Sequence, residues 1–373
     1  MNDTTTSPPA AGVPPLAPLS PDRWPPPPPP RRGRLFLGCC LGALGAVGLG
    51  VAGLLGVVWL GVALVEDDGA GFTTIGGRSS KVHEEVIGGN DKAKDKIAVI
   101  DVKGLIMAER LYDGASAVNI CEALKAAADD PAVRAVVLDM NTPGGEITAS
   151  DEIHQAVKAL RNTGKPVVTC MRSLGASGGY FIAAASDWIV ANRLTLTGSV
   201  GVIVSGFNVA GLLDKVGVRA TTYKSGAMKD MLSATRAATP QEEAYLNGLV
   251  RQDFLEFAAV VAQGRTKRYP TVDAVLQAPF SDGRVLSGQD ALALGLIDEL
   301  GYFEGAVAKA QQLAGVPSAK VVRLKHAMGL GELLFSMCGP DLGGRAAASL
   351  PLPAAWTRLP PGVPCYLLPA AAP

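Results

Sequence analysis

The sequence predicts an α/β fold with a mainly parallel sheet, preceded by one transmembrane helix. Two observations support this combination. From residue 96 onward, short apolar runs rich in β-branched residues alternate with segments of helical periodicity, which is typical of βαβ units and a sheet buried on both faces. Residues 35–65 contain no charged residue, and about 20 apolar residues are enough for a helix to cross a bilayer.

The composition limits the classes of partner and cofactor. The 373 residues include 34 basic and 34 acidic side chains, so the formal net charge is zero. No basic stripe stands out, and we therefore expect no nucleic-acid partner. Three histidines and the absence of CxxC spacing argue against a metal site, and no cofactor is expected. A disulfide between Cys338 and Cys365 stays open and depends on an oxidising compartment.

The chain divides into five predicted segments. They are a disordered proline-rich segment (1–34), a transmembrane helix (35–65), a polar tether (66–95), a folded domain (96–327) and a proline-rich tail (328–373). Three arginines precede the apolar run within 31–34, and three acidic residues follow it at 66–68. By the positive-inside rule, the N-terminus is cytoplasmic and the folded domain lies outside the cytoplasm.

The elements of the folded domain follow from its hydrophobic pattern. Strands are predicted at 97–102, 134–140, 166–170 and 187–192, with a further strand within 216–226. Helices are predicted at 118–130, at 149–161, directly after Ser177, and at 239–265. The last of these helices has Thr239 as N-cap, Pro240 at its first position and acidic residues in its first turn.

Two glycine-rich loops follow successive predicted strands, "NTPGG" (141–145) and "RSLGASGG" (172–179). Ligands of parallel sheets bind beyond the carboxyl ends of the strands. Adjacent glycines let backbone N–H groups face a ligand, as an oxyanion hole requires, and Ser177 offers a nucleophile. Each loop also has a simpler interpretation, because Pro-Gly-Gly is a common turn and a serine before a helix is a common N-cap.

A nucleophilic serine needs a base. His154 lies on the helix after the first loop, but no acidic partner is evident, and such a histidine is more typical of a core or surface position. The segment "YKSGAMKDMLS" offers Lys224 and Lys229, and Met228 and Met231 are placed to exclude water from the latter. Burial favours the neutral form of a lysine, which can then act as a base. A solvated surface lysine is the alternative interpretation.

Four blocks in fixed order resemble the signal peptide peptidase A family, which consists of membrane-anchored serine proteases with a Ser/Lys dyad. They are "NTPGGEITASDEIH", "GASGGYFIAAASDWIVANRLTLTGSVGVI", "YKSGAMKDMLSATR" and "DGRVLSGQDALALGLIDELG". The resemblance covers about residues 95–325 and is to the short, single-copy form of the family. It implies a ClpP/crotonase-like α/β fold and makes 96–327 a peptidase domain.

The resemblance also implies roles for individual residues. It assigns the nucleophile to Ser177, the general base to Lys229, the orientation of that lysine to Ser199, and the oxyanion hole to Gly144, Gly145 and Gly178. It further implies peptide substrates, namely signal-peptide remnants, contact with the lipid bilayer, and a dome-shaped homo-oligomer with dyads near subunit contacts. The implied location is the cell (inner) membrane, with a single-pass anchor and a periplasmic peptidase domain.

Some features depart from the family pattern. Glu146 stands where a third glycine is common, and Arg172 precedes the nucleophile turn. The tail beyond residue 327 is longer than the family core requires, and we hypothesise that it lies in or near the substrate groove and is self-trimmed. The alternative functions are a catalytically inactive membrane-anchored scaffold, an esterase with the same dyad, and a crotonase-type acyl-CoA enzyme. The last is disfavoured because no CoA is available outside the cytoplasm.

Overall fold

The computed structural model describes residues 82–108, 114–326 and 365–367 of the chain. The proline-rich segment 1–34, the transmembrane helix 35–65, most of the tail 328–373 and Cys338 lie outside these residues. Among the helices that are described, none combines the length and the apolar character that a membrane crossing needs.

The described residues alternate between strands and helices. In chain order, strands β1 to β13 span Val82–Gly89, Lys96–Lys103, Ile106–Met107, Ala115–Ser116, Val133–Thr142, Gly144–Glu146, Val167–Ala176, Trp188–Ala191, Leu196–Gly198, Val285–Ser287, Glu299–Leu300, Lys320–His326 and Cys365–Leu367. Helices α1 to α8 span Ala117–Asp129, Ile147–Arg161, Gly178–Ala183, Ala210–Lys215, Pro240–Gly264, Val272–Leu276, Gly288–Ala293 and Phe303–Ala314.

The main sheet has the strand order β1-β12-β2-β5-β7-β8-β11. All neighbours from β12 to β11 run parallel, and β1 pairs antiparallel with β12 at one edge. β9 continues the sheet alongside the end of β7, and β10 pairs antiparallel with β9. The structure therefore has the mixed α/β fold and the mainly parallel sheet that the sequence predicts.

The sheet separates two hydrophobic cores. Along β2, Ile97 and Val99 face one core while Ala98 and Ile100 face the other, as expected from the two-residue repeat of a strand. The larger core packs the sheet against α1, α2, α3 and α5, and α8 covers the opposite face. Burial on both faces explains why the central strands are continuous apolar runs in the sequence.

A second, smaller sheet with the order β13-β6-β3-β4 lies beyond the end of β5. Only Pro143 separates β5 from β6 in the chain, so the small sheet starts where the central strand ends. β6 pairs parallel with β3 through Gly145 and Ile106. The loop "NTPGG" of the sequence is therefore partly a strand.

Several predicted elements agree with the structure. The strands predicted at 97–102, 134–140, 166–170 and 187–192 correspond to β2, β5, β7 and β8. The long predicted helix is α5, which begins with a capping box: Thr239 Oγ1 accepts from the Glu242 N–H, and the Glu242 carboxylate accepts from the Thr239 N–H.

One expectation about secondary structure was wrong, and one strand was not foreseen. The strand predicted within 216–226 is absent, and this part of the chain follows the short helix α4 without regular structure. A strand needs a neighbouring edge, and residues 216–226 are all exposed. Conversely, 82–89 of the predicted tether form β1, which pairs through its backbone with β12 and keeps mostly exposed side chains.

A charge cluster closes the carboxyl end of the main sheet. The Asp139 side chain on β5 is only 1% exposed and contacts three cations, with Lys103 Nζ at 3.2 Å, an Arg323 guanidinium nitrogen at 3.3 Å, and Arg172 Nε. Arg172 also lies over the Phe303 ring, 4.6 Å from its centroid. Burial acts to raise the pKa of Asp139, but hydrogen bonding to Arg172 and the nearby positive charges outweigh it and lower the pKa.

We expect Asp139→Asn to lower the free energy of unfolding at pH 7 by about 2 kcal/mol, because three cations lose a charged partner in a buried place. The folded-state pKa is lowered, so this stabilisation is present above the unfolded-state pKa and is lost as pH falls through the folded-state pKa. The difference between the two proteins should therefore shrink in acid. Urea denaturation across pH measures it.

The matched control is Asp129→Asn, which removes an exposed ion pair with Lys125 on one helix and should change stability by less than about 0.5 kcal/mol. Equal stability of the Asp139→Asn protein and the wild type at pH 7 would show that the cluster does not stabilise the fold.

Candidate active site

Ser177 lies between β7 and α3, where a central strand turns directly into a helix. Its backbone adopts φ 54° and ψ −116°, a region that residues with a side chain rarely occupy. Its N–H donates to the Gly198 carbonyl at 2.9 Å, and its carbonyl accepts from the Phe181 N–H at 2.9 Å. These bonds hold the turn in its strained conformation, which is the kind of strain that collects at functional sites.

The Ser177 hydroxyl is buried, and in the described part of the chain it has no hydrogen-bond partner. It makes no capping bond to α3 either. The simpler interpretation of this serine as an N-cap is therefore not supported. A buried hydroxyl is usually satisfied, and leaving one unpaired costs about 1–3 kcal/mol. The arrangement keeps the oxygen available for a molecule that enters the site.

Glycines let β6 lie close both to β3 and to the turn at Ser177. A Cβ on Gly145 would lie 1.9 Å from the Ile106 carbonyl oxygen. A Cβ on Gly178 would lie 2.5 Å from Ser150 Oγ and 3.3 Å from the Gly145 nitrogen. Gly144 has φ 103°, which also favours glycine. The structure thus brings the three predicted oxyanion-hole glycines together next to Ser177.

Ser199 lies beside Ser177 in the parallel pairing of β7 and β9. Ala176 pairs with Gly198, so the two serines follow paired residues. Ser199 is buried and also has a positive φ, 50°. Its N–H donates to the Arg284 carbonyl at 2.9 Å. Two strained serines at the same end of the sheet are therefore neighbours.

Lys229 is exposed, and its side chain makes no hydrogen bond to Ser177 within the described chain. Its backbone N–H donates to the Gly226 carbonyl at 3.1 Å, which closes a turn. Met228 and Met231 are half-buried and do not exclude water from the lysine in this single chain. The nearby Lys224 is instead paired with Asp230, at 2.7 Å. The expected enclosure of Lys229 is not formed by one copy of the chain.

Lys229 belongs to a long exposed segment, residues 201–241, which we call the arm. The arm carries large apolar side chains that face solvent, including Phe207, Leu212, Val216 and Tyr223, the last 95% exposed. Ordered chain with so many exposed apolar groups is typical of an interaction surface.

His154 occupies a structural position. Its ring is buried against Phe181, and Nδ1 lies 3.0 Å from the Phe181 carbonyl oxygen, to which it donates. Burial lowers the pKa of His154. The histidine therefore supports α3, the helix that begins after Ser177, and does not contact the Ser177 hydroxyl.

A cavity of about 470 Å³ opens beside Ser199. Its apolar lining comes from Val200 and Val202 and from Val250 and Phe254 on α5. Sequence reasoning missed the contribution of α5, although the i, i+4 spacing of Val250 and Phe254 marks an apolar helix face. The cavity is placed to receive an apolar group near the strained serines.

The chain's own C-terminal segment reaches this region. β13 pairs antiparallel with β6, with Leu367 opposite Gly144 and Cys365 opposite Glu146. It occupies the edge of β6 that lies opposite β3. This placement agrees with the hypothesis that the tail lies in or near a substrate groove, and self-trimming stays a prediction.

The fold and the site define an α/β protein with a buried serine in a strained turn, close to glycine-rich backbone. Residues 159–317 match peptidase family S49. The chain is 38% identical over 208 residues to an Enterococcus faecium protein named signal peptide peptidase SppA, covering 56% of this chain and 59% of that protein. A Synechocystis sp. protein named as a protease is 38% identical over 228 residues, covering 61% and 78%.

The chain belongs to peptidase family S49, and the resemblance to the signal peptide peptidase A family is confirmed. The chain spans 59% of the length of the Enterococcus relative. A solved structure, a membrane-bound stomatin-specific protease in complex with a substrate peptide, aligns with a TM-score of 0.41 at 18% identity, covering 66% of this chain and 98% of that chain.

The positive φ of Ser177 leads to a stability prediction. Ser177→Gly should be more stable than Ser177→Ala by about 1 kcal/mol, because glycine adopts this conformation without strain and only part of the gain is offset by its greater freedom when unfolded. Both variants lack the hydroxyl, so the comparison isolates the backbone. Thermal or urea unfolding of the pair measures it. An alanine variant as stable as the glycine variant would indicate a relaxed turn.

Proposed function

We propose that the chain is a membrane-anchored serine endopeptidase in which Ser177 is the nucleophile and Lys229 the general base. The observation that carries this proposal is the unpaired, buried Ser177 hydroxyl beside Gly145 and Gly178. Membership of peptidase family S49 supports it independently. Serine-dependent peptide hydrolysis is the chemistry that this geometry suits best.

The proposed reaction has two stages. Neutral Lys229 accepts the Ser177 Oγ proton while the oxygen attacks a peptide carbonyl, and the N–H groups of Gly145 and Gly178 donate to the resulting oxyanion. The lysine ammonium then protonates the leaving amine, and an acyl-enzyme remains. Water loses a proton to Lys229 as it attacks the acyl-enzyme ester, and the lysine returns this proton to Ser177 Oγ as the second product leaves. Ser199 orients the lysine in this scheme.

We propose that Lys229 acts on Ser177 of a second copy of the chain. The arm that carries it has no fully buried residue in one copy, and its exposed apolar side chains are typical of a surface that another chain covers. Contact between copies would also remove water from the lysine and favour its neutral form. A closed ring of copies, the dome-shaped homo-oligomer, repeats this contact at every subunit.

The substrate is proposed to be an extended peptide that adds a strand to the outer edge of β6. The antiparallel pairing of β13 with β6 supports this mode, because it shows that the edge accepts a strand next to the nucleophile turn. The cavity lined by Val200 and Phe254 suits a small or apolar side chain. Signal-peptide remnants have this chemistry, and they are the substrate class that we propose.

The membrane anchor and the finer fold class belong to the same proposal. We place the transmembrane helix at 35–65, with a cytoplasmic N-terminus and a periplasmic peptidase domain at 96–327, from the charge pattern that flanks the apolar run. The ClpP/crotonase-like fold is supported by the parallel sheet and by the small second sheet at its carboxyl end.

Variants of the dyad test the proposal. Ser177→Ala and Lys229→Ala should each lower kcat/KM on a fluorogenic apolar peptide by at least ~10³-fold. Lys224→Ala, which changes the neighbouring lysine of the same turn, should retain activity. Equal peptidase activity of wild type and Ser177→Ala would refute the assignment. An assembled wild type without hydrolytic activity would favour the inactive scaffold.

Mixing the two inactive variants tests the contact between copies. If the dyad forms between copies, a reassembled equimolar mixture should regain about a quarter of wild-type activity, since that fraction of contacts has an intact serine and lysine. If each chain uses its own lysine, the mixture should stay inactive.

Removal of residues 363–373 tests the tail. We expect kcat/KM to rise at least about threefold, because a tethered strand competes with peptides for the β6 edge.

Mass spectrometry of purified protein should show a shortened C-terminus in the wild type and an intact one in Ser177→Ala. An intact wild-type C-terminus together with unchanged activity on deletion would contradict the tail hypothesis.

A further inference from the structure

Glu146 is a buried carboxylate at the end of β6. Its residue is only 9% exposed. Oε2 accepts a hydrogen bond from the Ala108 N–H at 2.8 Å, across 38 residues of sequence. Ala108 directly follows β3, so the carboxylate joins β6 to the neighbouring strand by a side chain.

Glu146 lies at the N-terminus of α2, but its carboxylate bonds to Ala108 and not to that helix. It is the N-cap residue of α2, but its side chain makes no capping bond to that helix within the described residues. The positive end of the helix dipole favours a negative charge there, and a charged acceptor makes a stronger hydrogen bond than a neutral one. The Glu146 carbonyl meanwhile accepts from Ser150 Oγ at 2.8 Å. Both ends of the residue are thereby anchored.

β6 depends on this anchor because it is short. Its pairing with β3 consists of one residue pair, Gly145 with Ile106. The bond from Ala108 to Glu146 extends the contact beyond that pair and places a second fixed point on the strand. Without this hydrogen bond, only the covalent continuation into α2 would hold the C-terminal end of β6 near β3.

The opposite edge of β6 is the edge on which β13 lies. In that pairing Leu367 is opposite Gly144, next to the nucleophile turn, and Cys365 is opposite Glu146. A peptide bound in the same direction therefore passes Glu146 two residues before the residue nearest Ser177. Glu146 fixes the part of the edge that holds the N-terminal side of the peptide, away from the bond to be cleaved.

We propose that Glu146 is a positioning residue for extended peptides, which sets the outer edge of β6 through its bond to Ala108 and so favours substrates long enough to reach it. This inference rests on the proposed function, since it assumes that peptides bind along β6 and react at Ser177. It concerns selectivity for substrate length and involves no direct contact of the carboxylate with the reacting atoms.

The test compares two fluorogenic amides with the same residue before the cleaved bond, one a single acylated residue and one a tetrapeptide. In the full-length protein, Glu146→Ala should lower the ratio of kcat/KM for the long over the short substrate by about tenfold. Glu146→Gln keeps an oxygen that can accept from the Ala108 N–H, so it should restore at least half of the ratio. A role in folding alone would lower both rates together.

Labelling of Ser177 by a fluorophosphonate separates this inference from the proposed function. If the wild type is labelled and cleaves both amides, but Glu146→Ala leaves the ratio unchanged or lowers both rates equally, the positioning role is refuted while the peptidase stands. If the glutamine variant behaves as the alanine variant, the acceptor bond is not the cause and the inference fails. If labelling and cleavage persist in Ser177→Ala, the proposed function itself fails.

Discussion

The backbone contact between β6 and the turn at Ser177 is the constraint on which the site depends. Gly178 permits it, because a Cβ there would lie 2.5 Å from Ser150 Oγ and 3.3 Å from the Gly145 nitrogen, while Gly145 lets β6 approach β3. In the main sheet, β5 and β7 are parallel neighbours, so their carboxyl ends lie side by side. The segment that follows β5 therefore contacts the segment that follows β7. The charge cluster around Asp139 ties the same two strands to β12, since Arg172 and Arg323 both reach that carboxylate.

The sequence predicted those parts of the fold in which burial or helix capping determines the residue types. The central strands are buried on both faces and therefore appear as apolar runs, and α5 begins with residues whose capping role is local. β1, β3 and β6 exist because a neighbouring backbone offers hydrogen bonds, and such pairing leaves no hydrophobic pattern. The false strand in 216–226 shows the converse, since β-branched residues do not form a strand where no edge is available.

The same distinction applies to the site. The sequence placed Ser177 and the glycines at adjoining strand ends, because strand order along the chain and glycine content are visible in it. The positive φ of Ser177 and Ser199 was not predictable, since it is imposed by Gly198 and Arg284 carbonyls that accept from their backbones. The bond from Ala108 to Glu146 joins segments distant in sequence. In our proposal, the surroundings of Lys229 depend on a second copy of the chain. They therefore cannot be deduced from one chain alone.

The strained turn at Ser177 has a consequence for how this gene can evolve. Serine and glycine codons can differ by a single base, and the backbone conformation here already suits glycine. In the function that we propose, a copy of the gene can therefore lose its nucleophile in one step without a penalty in folding. Under the same proposal, inactive relatives with an intact sheet and arm are the expected result of this architecture, and selection for hydrolysis alone must keep the serine in place.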